Sequence, residues 1–436
     1  MFMAWSDYAY EHGPTRVYDM PPAYPVWVAR SADRIEAISL PLQCNYPPLS
    51  TMVFWGQGLL WHQLDDQVAR GEVTRRNARG QIETVSARSR IINTPTSRFV
   101  NAIAGILADL LLAWGVLHLV RALLPRASPT LEIVGFALTA LAPPIVIDSA
   151  FWSQSDSWVT SLLVWVVVHL LRGRFWMAGG IFGAALLIKA QALILLPTLG
   201  FACVVPALRA GGHPRDAWVA ARAVATGALL VILSIGLPFS LAAPASTSWI
   251  ERAYVQPVLE QYPYTTTKAF NLWWLEGAAF ERPGVLRDSH ARVFGVTKDT
   301  IGRGLLALGV LLSMAAAARR FGADPAATVA VAFLVSLAAF VLPTRVKARY
   351  IYYCLPFLIA MALRFRPWRV ALAGILIVAT AELTWNLWYD VGAPMAQALS
   401  VGLAGVSVLA LVYAWAALLV NAWGADANDA RPGHST

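Results

Sequence analysis

The chain has 436 residues, of which 58% are hydrophobic and only 14% charged. A water-soluble domain carries roughly 25% charged residues, so this chain cannot clothe a water-facing surface, and an ordinary soluble enzyme is excluded. The formal net charge of +9 does not point to nucleic acid. The arginines sit in short turns between apolar runs, where they read as topology signals.

The first 98 residues open on a polar, Pro- and Tyr-containing stretch with no signal peptide and no first hydrophobic span. Residues 47–64 are apolar, yet Pro47, Pro48, Gln57 and His62 make them a poor crossing. They are expected to form a helix lying at the membrane interface. From 99 onward the apolar runs approach the ~20 residues that a crossing needs. They fall at 99–120, 131–150, 157–171, 176–190, 191–208, 223–243, 301–318, 326–343, 351–363, 369–388 and 397–420. The boundary near Lys189 is the weakest, and Pro197 and Pro206 interrupt the run around it. The expectation is an all-α, polytopic transmembrane bundle of about eleven spans over 99–420 with an outer loop at 244–300. A polar cytoplasmic tail at 421–436 is expected to be disordered.

Short turns carry Arg121 and Arg126, Arg172 and Arg174, Arg209 and Arg215, Arg319 and Arg320, and Arg364, Arg366 and Arg369. With eleven alternating spans all of these share one face, which the positive-inside rule makes cytoplasmic. The C-terminus is then cytoplasmic, and residues 1–98, the turn 148–157, the surroundings of Lys189, the loop 244–300 and the turn 344–350 all face outward. The arginine-containing stretch 65–98 opposes this reading. It is long and also acidic, so it counts for less than the short turns. Cys44, Cys203 and Cys354 form neither a disulfide framework nor a metal spacing.

Four segments concentrate polar chemistry on the outer face. FWSQSDSW (151–158), preceded by Asp148, offers acids, an amide and indoles. Equally, Ser155 or Asp156 could simply cap the next helix. LLIKAQALILLP sets Lys189 and Gln191 among leucines. That lysine either snorkels to the interface or holds a phosphate. YPYTTTKAFNLWW (262–274) combines Tyr262, Tyr264, Lys268 and Asn271 with further rings, suiting sugar hydroxyls and ring faces, or else forms an interfacial aromatic helix. LPTRVKARYIYY places Arg345, Lys347, Arg349 and Tyr350 where cations are least expected. They fit a bound anion, or snorkel around anionic lipid. Asp109 and Glu382 lie inside spans, where ionisable groups are expensive.

In order and spacing, FMAWSDYAYEHGPTRVYD with CNYPPL and its Tyr46 (2–49), FWSQSDSW with LLIKAQALILLP (151–197), YPYTTTKAFNLWW and LPTRVKARY resemble the bacterial relatives of PIG-V-type mannosyltransferases. These belong to the GT-C class of membrane glycosyltransferases. The resemblance implies transfer of a hexose, such as mannose, from a polyprenyl-phosphate sugar to a glycan, lipid or protein acceptor outside the cytoplasm. It makes Asp156 and Asp148 the candidate catalytic acids, with Asp156 orienting the acceptor or holding a divalent ion (Mg or Mn) where one is used. Tyr46, Trp152, Gln154, Lys189, Gln191, Tyr262, Tyr264, Lys268, Asn271, Arg345, Lys347, Arg349 and Tyr350 are the candidate substrate-binding residues. The family has a first helix and an aspartate before the Phe-x-x-Trp matched by Phe2 and Trp5. Both would precede Met1, so the expectation is an upstream start or a truncated relic. Asp7 and Asp19 are not assigned the missing role. Lys268-Ala-Phe-Asn271 and Lys347-Ala348-Arg349-Tyr350 stand where the family often has Asn-Ala-Phe-Asn and His-Glu-Arg-Tyr. Two other classes stay open: a non-catalytic relative that binds polyprenyl lipid, and a transporter or flippase, for which no internal repeat speaks.

Overall fold

The computed structural model describes residues 2–20, 26–31, 34–38, 44–65, 72–76, 81–86, 94–126, 128–209, 213–242, 248–256, 263–280, 288–389 and 397–419. The expected disordered tail at 421–436 and the candidate Tyr262 lie outside these residues.

The described chain is all-α with a few short strand pairs, and the helices start where their sequence says they should. Helix α1 (Phe2–His12) packs against α2 (Pro48–Leu64), which buries Ser50, Phe54, Gln57, Gly58 and Trp61. That spacing of three and four residues is one face of a helix. Gly58 is required there, because a Cβ would stand 2.2 Å from the Ser6 carbonyl oxygen. Between them run the hairpin β1 (Val26–Ser31) with β2 (Arg34–Ile38), and after them β3 (Glu72–Arg76) with β4 (Ile82–Ser86). Strands were not expected here. The expected interfacial segment 47–64 is helical, but it is not merely laid on a surface: Ser50 Oγ donates to the Ile188 carbonyl at 2.6 Å.

Helix α3 (Pro95–Leu123) opens with Thr94 accepting from the Ser97 amide at 3.1 Å. Helices α4 (Pro129–Ala140) and α5 (Pro143–Phe151) meet at a 45° bend. Pro143 and Pro144 lack the amides to continue α4 and push the preceding residue out of the helical region. Then follow α6 (Asp156–Leu171), α7 (Phe175–Ile188), a 3₁₀ turn (Ala190–Leu195), α8 (Leu196–Arg209) and α9 (Pro214–Ala242). The helical run does break at Lys189, whose φ of −160° and ψ of 136° are extended.

A two-residue strand β5 (Thr266–Thr267) precedes α10 (Leu272–Phe280), and the hairpin β6 (Arg292–Val293) with β7 (Val296–Thr297) precedes α11 (Lys298–Phe321). Helix α12 (Pro325–Val341) is buried on nearly every face and forms the centre of the bundle. Strand β8 (Val346–Lys347), a 3₁₀ turn (Ala348–Cys354), α13 (Leu355–Arg364), α14 (Trp368–Tyr389) and α15 (Gln397–Leu419) complete it.

Helical structure occupies every segment expected to cross the membrane. Five helices, α3, α9, α11, α14 and α15, are long and apolar enough to do so alone, and the bent pair α4–α5 makes six. Helices α6, α7 and α12 are apolar but shorter. Trp218, Leu229, Leu233, Leu237 and Leu241 on α9 are exposed, as on a lipid-facing surface. The other side of α9 lies against α7 at closest approach. A Cβ on Gly179 would stand 2.0 Å from the Val224 carbonyl oxygen, and one on Gly227 2.2 Å from that of Trp176, a small-residue contact of the kind that packs membrane helices.

The bundle has two unlike ends. Arg172 bonds His118 of α3 at 3.1 Å, Arg121 pairs with Glu132, and Arg364 makes two 2.7 Å bonds to Asp324. Gly135 lies against both Val120 and Leu363, so these arginine turns share one end. Helix α6 runs from there to Asp156 over ~24 Å, and the polar motifs gather around that second end.

Candidate functional site

Three segments far apart in sequence converge on Asp156. Helix α5 ends in a wide turn over Ile147–Phe151, and the chain then bends back through Ser153, whose φ is 53°. The Gln154 amide closes this turn on the Asp148 carbonyl at 2.9 Å. Asp156 thus begins α6 fully buried, with the positive end of the helix beneath it. Ser155 stands at the capping position, but its hydroxyl donates instead to the Tyr46 hydroxyl at 3.3 Å.

The Asp156 carboxylate is heavily engaged. Lys189 Nζ donates to Oδ1 at 2.6 Å, the Tyr353 hydroxyl donates to the same oxygen, and Arg349 Nε lies 3.0 Å from Oδ2 without hydrogen-bond alignment. Lys189 is only 5% exposed, so it is a buried ion-pair partner rather than a snorkelling side chain. It also stands 5.9 Å over the Tyr46 ring, and the Arg349 guanidinium stands 5.7 Å over the Trp152 ring. Gln191 donates to the Tyr350 hydroxyl at 2.6 Å. Tyr46, Trp152, Lys189, Gln191, Arg349 and Tyr350 therefore belong to one cluster around Asp156.

Asp148 is the opposite case. It is fully buried, and neither of its oxygens has a hydrogen-bond partner. The nearby Asp109 on α3 is saturated: it accepts from Ser149, from Ser157 at 2.5 Å and from Tyr352 at 3.0 Å. Buried carboxylates normally have their acceptors filled, so Asp148 stands out beside the saturated Asp109 and the ion-paired Asp156.

Lys347 joins the cluster through β8. Strands β5 and β8 pair in parallel, Thr266 with Val346 and Thr267 with Lys347. This ties the loop carrying Tyr264, Lys268 and Asn271 to the cationic turn. Burial, helped by the like charges of Arg349 and Lys189 and opposed by Asp156, lowers the Lys347 ammonium to about 7. The sign follows from linkage: between that value and its ordinary one, the unfolded chain holds the proton more strongly, so stability rises with pH across this window. Anion binding must behave oppositely. A phosphodiester does not itself titrate near neutrality, so affinity for a phosphodiester probe is expected to fall as pH is raised from about 6 to about 8 (about one unit below and above the lysine's midpoint), and Lys347→Gln should flatten that profile. An equally steep profile in the variant would remove Lys347 from the site.

Arg345 departs from the expected cationic trio. Its φ of 62° turns it away, and its amide donates to the Tyr264 and Thr265 carbonyls. Its guanidinium meets Ser289 at 3.4 Å, His290 at 3.1 Å and Asp299 at 3.5 Å. Lys268 likewise has a positive φ of 57°. Ser153, Lys268 and Arg345 each lie in a different motif, and such backbone costs about 1–3 kcal/mol apiece. Asn271 caps α10, its Oδ1 accepting from the Trp274 amide at 3.2 Å. Gln154 contributes through its backbone, and Tyr264 through its carbonyl and a bridge to Asp288.

The tyrosines at 352 and 353 were not anticipated, although RYIYY carries the signal. In a 3₁₀ turn residues three apart eclipse, so Tyr350 and Tyr353 face the same cluster while Tyr352 reaches Asp109. Among the described residues no three His, Cys, Asp or Glu side chains converge on one point. No family model and no characterised protein compared with the chain matches it.

Proposed function

We propose that this chain is a GT-C-type membrane glycosyltransferase that moves a hexose from a polyprenyl-phosphate donor to an acceptor hydroxyl. One observation carries the reading. Three cations, Lys189, Lys347 and Arg349, gather around the buried Asp156 carboxylate at one end of an apolar bundle, a concentration of cationic groups suited to a lipid phosphate. In this reading the helical segments make eleven crossings, the cluster opens to the extracytoplasmic side and the C-terminus is cytoplasmic. The arginine turns at the other end support that orientation.

The chemistry divides between the two acids. Asp156 has its oxygens committed to Lys189, Tyr353 and Arg349, and serves to hold those cations in place. Asp148, bare and buried, takes the acceptor proton. The acceptor oxygen forms its bond to the sugar C1 as the bond from C1 to the phosphate oxygen breaks. The electron pair leaves with the phosphate, whose charge Lys347 and Arg349 stabilise. Attack from the face opposite the phosphate inverts the anomeric centre.

The test is direct. The full chain in nanodiscs, given polyprenyl-phosphate mannose or glucose and an envelope extract as acceptor source, should release polyprenyl phosphate and a new glycoside together. Donor binding without release would instead identify a lipid-binding relative, and absence of binding would sink the proposal.

A further inference from the structure

A second set of unsatisfied polar atoms lies away from Asp156, where α10 meets α14. Glu382 is fully buried on α14. Its Oε2 accepts from the Phe270 amide at 2.6 Å, whereas Oε1 has no partner. Next to Phe270, the buried Asn271 uses Oδ1 as a cap and leaves Nδ2 without an acceptor. Trp274, whose amide that cap engages, leaves its indole Nε1 bare. Each such group costs about 1–3 kcal/mol when buried unpaired. Here an acceptor on α14 and two donors at the start of α10 are linked through the Phe270 amide, which Glu382 engages, and the Asn271 cap that follows it.

The surroundings define what would satisfy them. The Phe270 and Trp385 rings stack at 5.6 Å and 20°, and the Trp274 ring stands edge-on to both. Among the described residues in these contacts there is a carboxylate, an amide and indole N–H groups, but no cation. An anion would find no counter-charge among these groups. A neutral polyhydroxylated ring fits: its hydroxyls donate to the carboxylate and accept from the amide and indole, and its C–H face meets aromatic rings.

We infer that Glu382, Asn271 and Trp274 form a subsite for a neutral hexose unit, separate from the phosphate-binding cluster. If the glycosyl-transfer reading holds, this is the acceptor glycan's place. The spacing agrees: Thr267 pairs with Lys347, and Phe270 follows three residues later, a reach of at most ~11 Å. One or two sugar rings bridge that gap.

The experiment uses the full chain in nanodiscs and the methyl glycosides of mannose, glucose and galactose, read by saturation-transfer NMR and by tryptophan fluorescence. At least one glycoside should bind. Affinity should fall about tenfold or more in Asn271→Asp, which keeps the cap acceptor and removes the donor, and in Glu382→Gln, which keeps an oxygen for the Phe270 amide. Polyprenyl-phosphate binding should be unchanged in both. Should Glu382→Gln fail to fold, Asn271→Asp decides alone. Glycoside binding to neither wild type nor variants, or equal binding to all, overturns the subsite. A wild-type chain that binds glycoside and transfers no sugar leaves the subsite standing and removes only the transferase reading.

Discussion

Asp156→Ala is expected to lower the stability of the purified chain by about 3–5 kcal/mol, because it strands buried cations without a counter-charge. The partners are Lys189, 5% exposed, and Arg349, and they come from segments 33 and 193 residues away in the chain. Losing the carboxylate also frees the Tyr353 hydroxyl. The end of α7, the start of α6 and the turn after α12 would then separate first. Thermal unfolding in detergent reads the loss, and donor binding should disappear with it. A second change discriminates the cause: Lys189→Met with Asp156→Leu removes charge and counter-charge together and should recover much of the stability without recovering donor binding. If Asp156→Ala unfolds at the wild-type temperature, the ion cluster is not holding these segments.

The companion substitution should behave in the reverse manner. Asp148→Asn keeps shape and changes no hydrogen bond to the side chain, since neither carboxylate oxygen has one. Stability should therefore stay within about 1 kcal/mol of wild type. Sugar transfer, in contrast, should fall about a hundred- to ten-thousandfold, the usual worth of a positioned proton acceptor, while donor binding persists. The split between intact binding and lost turnover is what a merely structural residue would not produce. Transfer at the wild-type rate would assign the proton elsewhere.

How much of this could be read beforehand depends on the kind of signal. Apolar runs fix where helices form, and each of the expected segments is helical. Whether a run crosses alone is less legible, because α6, α7 and α12 are cut short by polar motifs that sit inside the apolar stretch. Lys189 shows why: one residue with an extended backbone divides a run that hydropathy alone would join. The clustering of Lys189, Arg349 and Trp152 near Asp156 was foreshadowed by charge in the wrong place, which is costly unless partnered. What hydropathy could not supply was the pairing. Nothing in the spacing of Arg345, Lys347 and Arg349 shows that the first turns toward Asp299, and only its left-handed backbone produces that turn. Helix α1 was also missed, as its Trp5, Ser6, Asp7 and Tyr8 carry mixed polarity and gain their burial only against α2. Asp7 meets His62 there at 3.1 Å, a contact that no local pattern announces.

The glycine seam between α7 and α9 has a mechanical consequence. With backbone against backbone at Gly179, Gly183 and Gly227, these two helices can neither slide nor roll past each other without collision. They act as a single stiff beam, and the lysine at the tip of α7 inherits that stiffness. The two-residue ladder between Thr266–Thr267 and Val346–Lys347 joins the cluster from elements outside that beam, and so is not held by its stiffness.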